Sequence, residues 1–287
     1  MLAIYKKELK SYFTSMMGYV FIAFFLVIVG IYFVVYNMFS LYANFEYVLS
    51  SVSFIFILLI PILTMRLMAE ENKQKTDQLL FTAPLPVGRI IAGKFFAVAT
   101  VFLVAMGIIS MYPLILLQFG AVPLKAAYAA ILGFTLLGGA YIAIGLFISA
   151  LTESQVVAAV VSFVVILVTA LMDGLVNYLP TDNRSAWLIF AVLVLLLGWV
   201  LHSMMHNFTV TVGSVLFAEI ALTLTYIIKP AIFDGLVSRV FNWFSVIARF
   251  DNFTQGILNL SSVIYYVSVM FLFMFLTVQA IKKRRWS

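Results

Sequence analysis

A glycine-rich stretch followed by a lysine is the first feature of the sequence that could do chemistry. Gly88, Gly93 and Lys94 fit the first seven positions of a phosphate-binding loop, G-x-x-x-x-G-K. The eighth position should be Ser or Thr to hold Mg²⁺, and here it is Phe95. The stretch also enters an apolar run, whereas such loops follow a strand. We therefore expect no nucleotide here, only glycines that ease packing and a Lys94 that anchors the run near lipid headgroups.

Two histidines have the spacing of metal ligands on a helix. His202 and His206 lie four residues apart, so both fall on one helical face. The chain has no cysteine, and no carboxylate lies nearby to complete a closed site. We interpret both as headgroup-level side chains and predict no metal.

Glu219 is the remaining candidate, because it falls near the middle of an apolar run of about 20 residues. A carboxylate inside a membrane is costly and usually faces protein or water. Two interpretations stay open: a contact in a translocation path or a proton-linked site, and a protonated or hydrogen-bonded packing residue.

The composition indicates which elements must position these residues. Of 287 residues 65% are hydrophobic and 10% are charged, too few polar residues to cover a water-facing surface. In hydrocarbon every backbone polar group must be paired internally, and runs of about 20 apolar residues favour helices over a barrel. The sequence predicts an all-α integral membrane protein with one domain over 1–287. Its eight predicted transmembrane helices are 16–37, 50–69, 91–117, 124–150, 156–177, 186–204, 207–229 and 258–281.

The distribution of Lys and Arg predicts the orientation. Twelve of the 17 basic residues fall before the first span, in the segment 66–94 that joins the second and third spans, or after the last span. Both termini are therefore expected in the cytoplasm. The hairpin 186–229 could span or re-enter on one side, and either alternative keeps both termini inside.

Two stretches are amphipathic without being long enough to cross. Residues 2–13 place apolar side chains on one face and lysines elsewhere, which predicts an interfacial helix before the first span. Residues 232–250 place Ile232, Leu236, Val240, Phe244 and Ile247 on one face and predict a second interfacial helix, on the outer surface.

The segment 66–94 is the longest predicted cytoplasmic loop. Residues 68–80 suit a short amphipathic helix, which Pro84 and Pro86 end. A short helix held between two spans could transmit force from a soluble partner to the membrane.

Four stretches together resemble permeases of type-2 ABC transporters, closest to the gliding-motility (GldF-like) branch. They are YKKELKSYF from Tyr5, EENKQKTDQLLFTAPLPVGRIIAGK from Glu70, FISALTESQVVAA from Phe147, and the segment from Phe250 to the terminal KKRRWS. These resemble the family's elbow helix, coupling segment, tight turn and closing segment. The chain departs from the family's six spans by the extra hairpin 186–229.

The resemblance implies an exporter permease, not an enzyme, in a bacterial inner membrane. It implies a second permease copy or a related permease, a cytoplasmic ATPase that carries ATP and Mg²⁺, and an auxiliary subunit with an outer domain. No cofactor is expected on this chain. The residues that this resemblance places at the ATPase are Glu70, Glu71, Lys73, Thr76, Asp77, Leu79, Leu80 and, in the tight turn, Glu153.

Two alternatives stay open. An ion-gradient-driven secondary transporter would use Glu219, but the sequence has no paired broken spans of the kind such transporters carry. A non-transporting scaffold subunit of an ABC-like complex would keep the coupling segment and lack a path. Composition favours a partner-driven permease, because the longest water-facing segment is far too short to form an ATPase domain.

Overall fold

The computed structural model describes residues 1–76, 86–176, 178–205 and 208–286, and within those ranges every regular element is a helix. The chain divides into two compact units. Unit 1 is Met1–Ala170 with Val246–Ser287, and unit 2 is Leu171–Ser245. No linker composition marks either boundary, and the assignment of 1–287 to one permease domain stays a prediction.

Unit 1 begins with α1 (Leu2–Thr14) and α2 (Met16–Phe33), which a π-helix (Val34–Phe39) extends. Its further helices, in chain order, are α3 (Glu46–Val52), α4 (Phe56–Thr64), α5 (Arg66–Gln74), α6 (Val87–Ile109), α7 (Tyr112–Leu116), α8 (Leu124–Leu151) and α9 (Gln155–Val176), whose last residues belong to unit 2. After unit 2 the chain returns with α13 (Asp251–Thr254) and α14 (Leu260–Trp286).

Six helical stretches of the described residues are long and apolar enough to cross a membrane. They are Met16–Phe39, Glu46–Gln74, Val87–Leu116, Leu124–Leu151, Gln155–Met172 and Leu260–Lys283. These coincide with six of the eight predicted spans. The other two, 186–204 and 207–229, correspond to helices of unit 2, and their crossing stays a prediction.

The core of unit 1 is built around α8, whose small residues let neighbouring helices approach closely. A Cβ on Gly133 would lie 2.6 Å from Cβ of Phe253, and one on Gly138 would lie 2.5 Å from the ring of Phe102. In membranes such close packing replaces the hydrophobic effect as the force between helices. The buried ring of Phe134 fills the centre and stacks on Phe25 with centroids 6.1 Å apart.

Unit 2 contains α10 (Asn183–Met205), α11 (Phe208–Ile228), a 3₁₀ turn (Pro230–Phe233) and α12 (Leu236–Phe244). The described part of α11 meets the segment Pro230–Phe244 at a bend of 110°, and the pair would count as a seventh span only if taken together. Gly235 makes the turn into α12 with φ +64°, a conformation that favours glycine.

The predicted helix over 232–250 is wrong in length. The helix has nine residues and ends at Phe244, because Ser245 adopts an extended conformation. Phe233 and Val237 are buried, whereas Phe244 is 62% exposed. Ile232 and Phe244 of the predicted apolar face are thus exposed on the protein, as side chains that face lipid would be. Its outer, interfacial location stays a prediction.

Candidate functional site

The predicted coupling segment forms a helix that begins two residues before the predicted start at residue 68 and ends before the predicted end at residue 80. Helix α5 runs from Arg66 to Gln74, where Lys75 takes a left-handed conformation with φ +55° and ends it. The predicted continuous helix over 68–80 is therefore interrupted after Gln74. Residues 77–85 lie outside the described part of the chain.

The start of α5 is held by a side chain from another helix. The first N–H groups of a helix have no partner within it. The buried hydroxyl of Ser149, near the end of α8, accepts hydrogen bonds from the N–H groups of Met68 and Ala69, both at 3.1 Å. The same hydroxyl donates to the carbonyl of Met65 at 3.0 Å. Helix α5 is thus capped from α8.

The end of α5 is fixed to the same region. The buried amide of Asn72 donates to the carbonyl of Thr152 at 3.1 Å and to that of Ala150 at 3.4 Å. Ala150 lies at the end of α8, and Thr152 begins the turn between α8 and α9, which carries Glu153. The two segments predicted to face an ATPase are therefore joined to each other.

A buried lysine connects α5 to α1 and α6. Lys94, in the second turn of α6, is 1% exposed. Its ammonium donates to Glu8 Oε1 of α1 at 2.9 Å and to the carbonyl of Leu67 at 2.9 Å. It also lies 3.0 Å from Glu71 Oε2 of α5. The expectation that Lys94 anchors a span at the headgroups is wrong, because two carboxylates hold its charge inside the protein.

Helix α1 is fixed along its length. A Cβ on Gly93 would come within 3.3 Å of Ile4, so this glycine lets α1 lie directly on α6. The Tyr5 hydroxyl is 3.1 Å from Thr100 Oγ1, and the Tyr12 hydroxyl donates to the carbonyl of Leu63 at 2.8 Å. Burial raises the pKa of Tyr12, and the nearby Glu8 carboxylate adds to that effect.

A cleft of about 260 Å³ lies where α1, α5 and α6 meet. Its charged lining is balanced, with three carboxylates and three cations; they are Glu8, Glu70, Glu71, Lys7, Arg66 and Lys94. Glu71 pairs with Lys7 at 3.5 Å as well as with Lys94, and Glu70 pairs with Arg66 one turn away. An arrangement of this kind can hold helices in register.

The predicted ATPase-contact residues fall into three groups. Glu70 and Glu71 are engaged in ion pairs within the chain, with side chains 28% and 14% exposed. Lys73 and Thr76 are exposed on α5 and just after it, and Glu153 is exposed in the turn after α8. Asp77, Leu79 and Leu80 lie outside the described residues. The role of the whole set stays a prediction.

The other candidate residues are not part of this cleft. Glu219 is half-buried on α11 of unit 2, and its Oε1 is buried without a hydrogen-bond partner among the described residues. Its role stays a prediction. The side chain of His202 and the whole of His206 lie outside the described part. Among the residues that were placed, no group of three His, Asp or Glu side chains could hold a metal.

Sequence reasoning missed Glu8, Ser149 and Asn72 as functional positions. Each is a common residue type in a helix, and only the packing of α1, α5, α6 and α8 gives it a partner. One signal was available for Glu8, which is the only acidic residue before Glu46. A lone carboxylate among the three lysines of this first helix indicates a specific cationic partner.

Comparison with known proteins agrees with this architecture. The family model described as ABC-2 family transporter protein matches residues 36–189, more than half of the chain. The match includes α5, Lys94 and the turn with Glu153, and it excludes α1 with Glu8. No curated protein matches the chain. The resemblance to type-2 ABC permeases is confirmed, while the gliding-motility branch stays a prediction. The family match and the six long apolar helices of the described residues lead to the same conclusion: the chain belongs to the ABC-2 transporter family, as a multi-pass membrane permease component.

Proposed function

We propose that this chain is the permease subunit of an ABC exporter, that it forms the translocation path, and that a separate cytoplasmic ATPase drives it through α5. ATP and Mg²⁺ would bind to that ATPase, and this chain would carry no cofactor. Two permease copies, or this chain and a related permease, would enclose the path. A membrane-anchored auxiliary subunit with an outer domain is a further partner implied by the resemblance.

The observation that carries the proposal is the way α5 is anchored. Helix α5 is bonded at its start to Ser149, at its end to Thr152, and on its side to Lys94. A force applied to its exposed face would therefore reach α6 and α8 directly, and both are candidate spans. A solvated connecting loop would need no such set of buried contacts.

The proposed interface comprises the exposed residues of α5 and of the turn after α8. Lys73, Thr76 and Glu153 are accessible to a partner. Asp77, Leu79 and Leu80 continue the same segment in sequence. Glu70 and Glu71 would contribute by fixing the shape of α5, since their carboxylates are already paired within the chain.

The basic residues support a cytoplasmic location for this surface. Helix α1, the segment 66–94 and the C-terminal end contain 12 of the chain's 17 Lys and Arg residues, and cytoplasmic segments carry this excess. Both termini would then be cytoplasmic, in a bacterial inner membrane.

The test is purification of the tagged chain from native membranes in mild detergent, with mass spectrometry and an ATPase assay of the eluate. We expect a stoichiometric P-loop ATPase with measurable activity. A preparation of this chain alone that transports in vesicles without ATP would contradict the proposal and favour a gradient-driven transporter that uses Glu219.

A pair of lysine variants locates the interface. Lys73→Glu reverses an exposed charge on α5 and should lower the co-purified ATPase severalfold, because charge at an interface rim controls association. Lys125→Glu makes the same change at an exposed position at the start of α8, on the side predicted to face outward, and should change nothing. Equal recovery from both variants would contradict the assignment of α5.

A further inference from the structure

The ammonium of Lys94 contacts three oxygen atoms on two other helices. It donates hydrogen bonds to Glu8 Oε1 and to the Leu67 carbonyl, both at 2.9 Å, and it forms an ion pair with Glu71 Oε2 at 3.0 Å. Glu8 belongs to α1, whereas Leu67 and Glu71 belong to α5. One side chain of α6 therefore connects the N-terminal helix to the proposed coupling helix.

A second ion pair makes the same connection at the surface. Lys7 of α1 lies 3.5 Å from Glu71 of α5, but its side chain is 63% exposed. Exposed pairs contribute little, because water screens them. The connection between the two helices therefore depends on the buried ammonium, whose side chain is 1% exposed.

Simple packing does not require a charge at this position. An apolar side chain of similar volume is often at least as stabilising as a buried ion pair. A buried pair differs in what happens when its partners separate, because each charge then stays in the protein without compensation. Lys94 thus makes separation of α1 from α5 costly, and it holds both helices to the start of α6.

We propose that Lys94 is a positioning residue that clamps α1 to α5, so that the two helices move as one body during transport. The motion itself rests on the proposed function, since an ATPase would supply it through α5. The clamp is a property of this chain alone and can be measured without the ATPase.

The experiment uses pairs of spin labels, for which the chain is well suited because it has no cysteine. Lys10→Cys on α1 and Lys73→Cys on α5 place labels at two exposed positions. Pulsed electron-electron distance measurement on the full chain in lipid nanodiscs should give one narrow distribution. Lys94→Met should add a second, longer distance. Arg89→Met, an exposed change on the same helix, should leave the distribution unaltered.

An unaltered distribution in Lys94→Met would overturn the clamp. Glu8→Gln serves if Lys94→Met does not fold, because it keeps the shape of the side chain and removes its charge. This variant should also add the longer distance, and a distribution like that of the unsubstituted pair would overturn the proposal.

A second distance measurement distinguishes failure of the clamp from failure of the proposed function. In the complex isolated from native membranes, the distance between the labels should be the same without nucleotide and with ATP trapped. A distance that changes between the two states would overturn the clamp while the permease function stands. Co-purification is scored on the unlabelled chain, because Lys73 belongs to the proposed interface. If no ATPase co-purifies with that chain, the proposed function fails, and the nanodisc measurement still decides whether Lys94 clamps α1 to α5.

Discussion

The hydroxyl of Ser149 lies 3.1 Å from the backbone nitrogen of Met68, and this contact caps one helix with a side chain from another. Capping residues usually belong to the helix that they cap. Here the cap comes from α8, so the start of α5 depends on tertiary structure. This dependence makes the cap testable apart from the helix propensity of α5.

Removal of the cap should destabilise the protein. Ser149→Ala leaves the N–H groups of Met68 and Ala69 without an acceptor in a buried place, which typically costs about 1–3 kcal/mol. Ser162→Ala is the matched control, because Ser162 is also fully buried and its hydroxyl has no hydrogen-bond partner among the described residues. Unfolding in mixed micelles should show a lower free energy for Ser149→Ala and little change for Ser162→Ala. Equal losses would argue against the cap.

The close approach of α13 to α8 should not tolerate a methyl group. Gly133→Ala would place its Cβ 2.6 Å from the Cβ of Phe253, an atom that cannot move without the backbone of α13. Overpacking of this kind costs about 1–3 kcal/mol. Gly107→Ala on α6 is the control, because a Cβ there meets nothing within 4 Å. The melting temperature in detergent should fall for the first variant only, and a similar fall in both would contradict this packing.

The buried phenol of Tyr12 should make stability depend on alkaline pH. Its pKa is raised in the folded protein, chiefly by burial, whereas an unfolded tyrosine titrates near pH 10. Above pH 10 the folded state therefore holds the phenol proton more strongly than the unfolded state does. The contribution of Tyr12 to the free energy of unfolding is full below about pH 10 and is lost as the pH rises further. Tyr12→Phe should therefore lose less stability than the unsubstituted protein between pH 8 and pH 11.

At neutral pH the same variant should be less stable by about 0.5–1.5 kcal/mol, because its hydrogen bond to the Leu63 carbonyl is gone. Tyr19→Phe removes an exposed phenol and controls for the change of residue type. Parallel pH curves for Tyr12→Phe and the unsubstituted protein would show that Tyr12 is not the group responsible.

The topology of 186–229 can be tested by labelling. If α10 and α11 both span, the turn between them should face the cytoplasm. Ser203→Cys, close to the end of α10 that leads into this turn, would then react with a membrane-impermeant maleimide in inside-out vesicles and stay unreactive in intact cells. The absence of endogenous cysteine removes the background. Protection on both sides would favour a re-entrant hairpin.

The spans were the most predictable part of this fold. Apolar runs near 20 residues long can be recognised without tertiary information, because lipid imposes the same requirement on every span. Six predicted spans accordingly coincide with helices of the structure. The hairpin 186–229 also consists of apolar runs near 20 residues long. Its helices belong to unit 2, and they are not among the six candidate spans.

The site was much less predictable, since its residues matter through their partners. Lys94 satisfies the pattern of a headgroup anchor as well as that of a buried ion pair, and only Glu8 and Glu71 distinguish the two. The end of α5 was equally hidden, because Lys75 is an ordinary helix former that adopts φ +55° here. The proline signal at Pro84 and Pro86 indicated a break and placed it too late.

Unit 1 is discontinuous in sequence, and this has a consequence for synthesis. The last helix, α14, packs along α8, with Met270 against Gly139 and Phe273 against Phe147. The ribosome therefore completes α8 long before its main neighbour exists, and all of unit 2 is made in between. During that interval the glycine-rich side of α8 must be covered by lipid, by the insertion machinery or by a chaperone. Nascent chains stalled before Leu260 should accordingly be the forms that cellular quality control degrades.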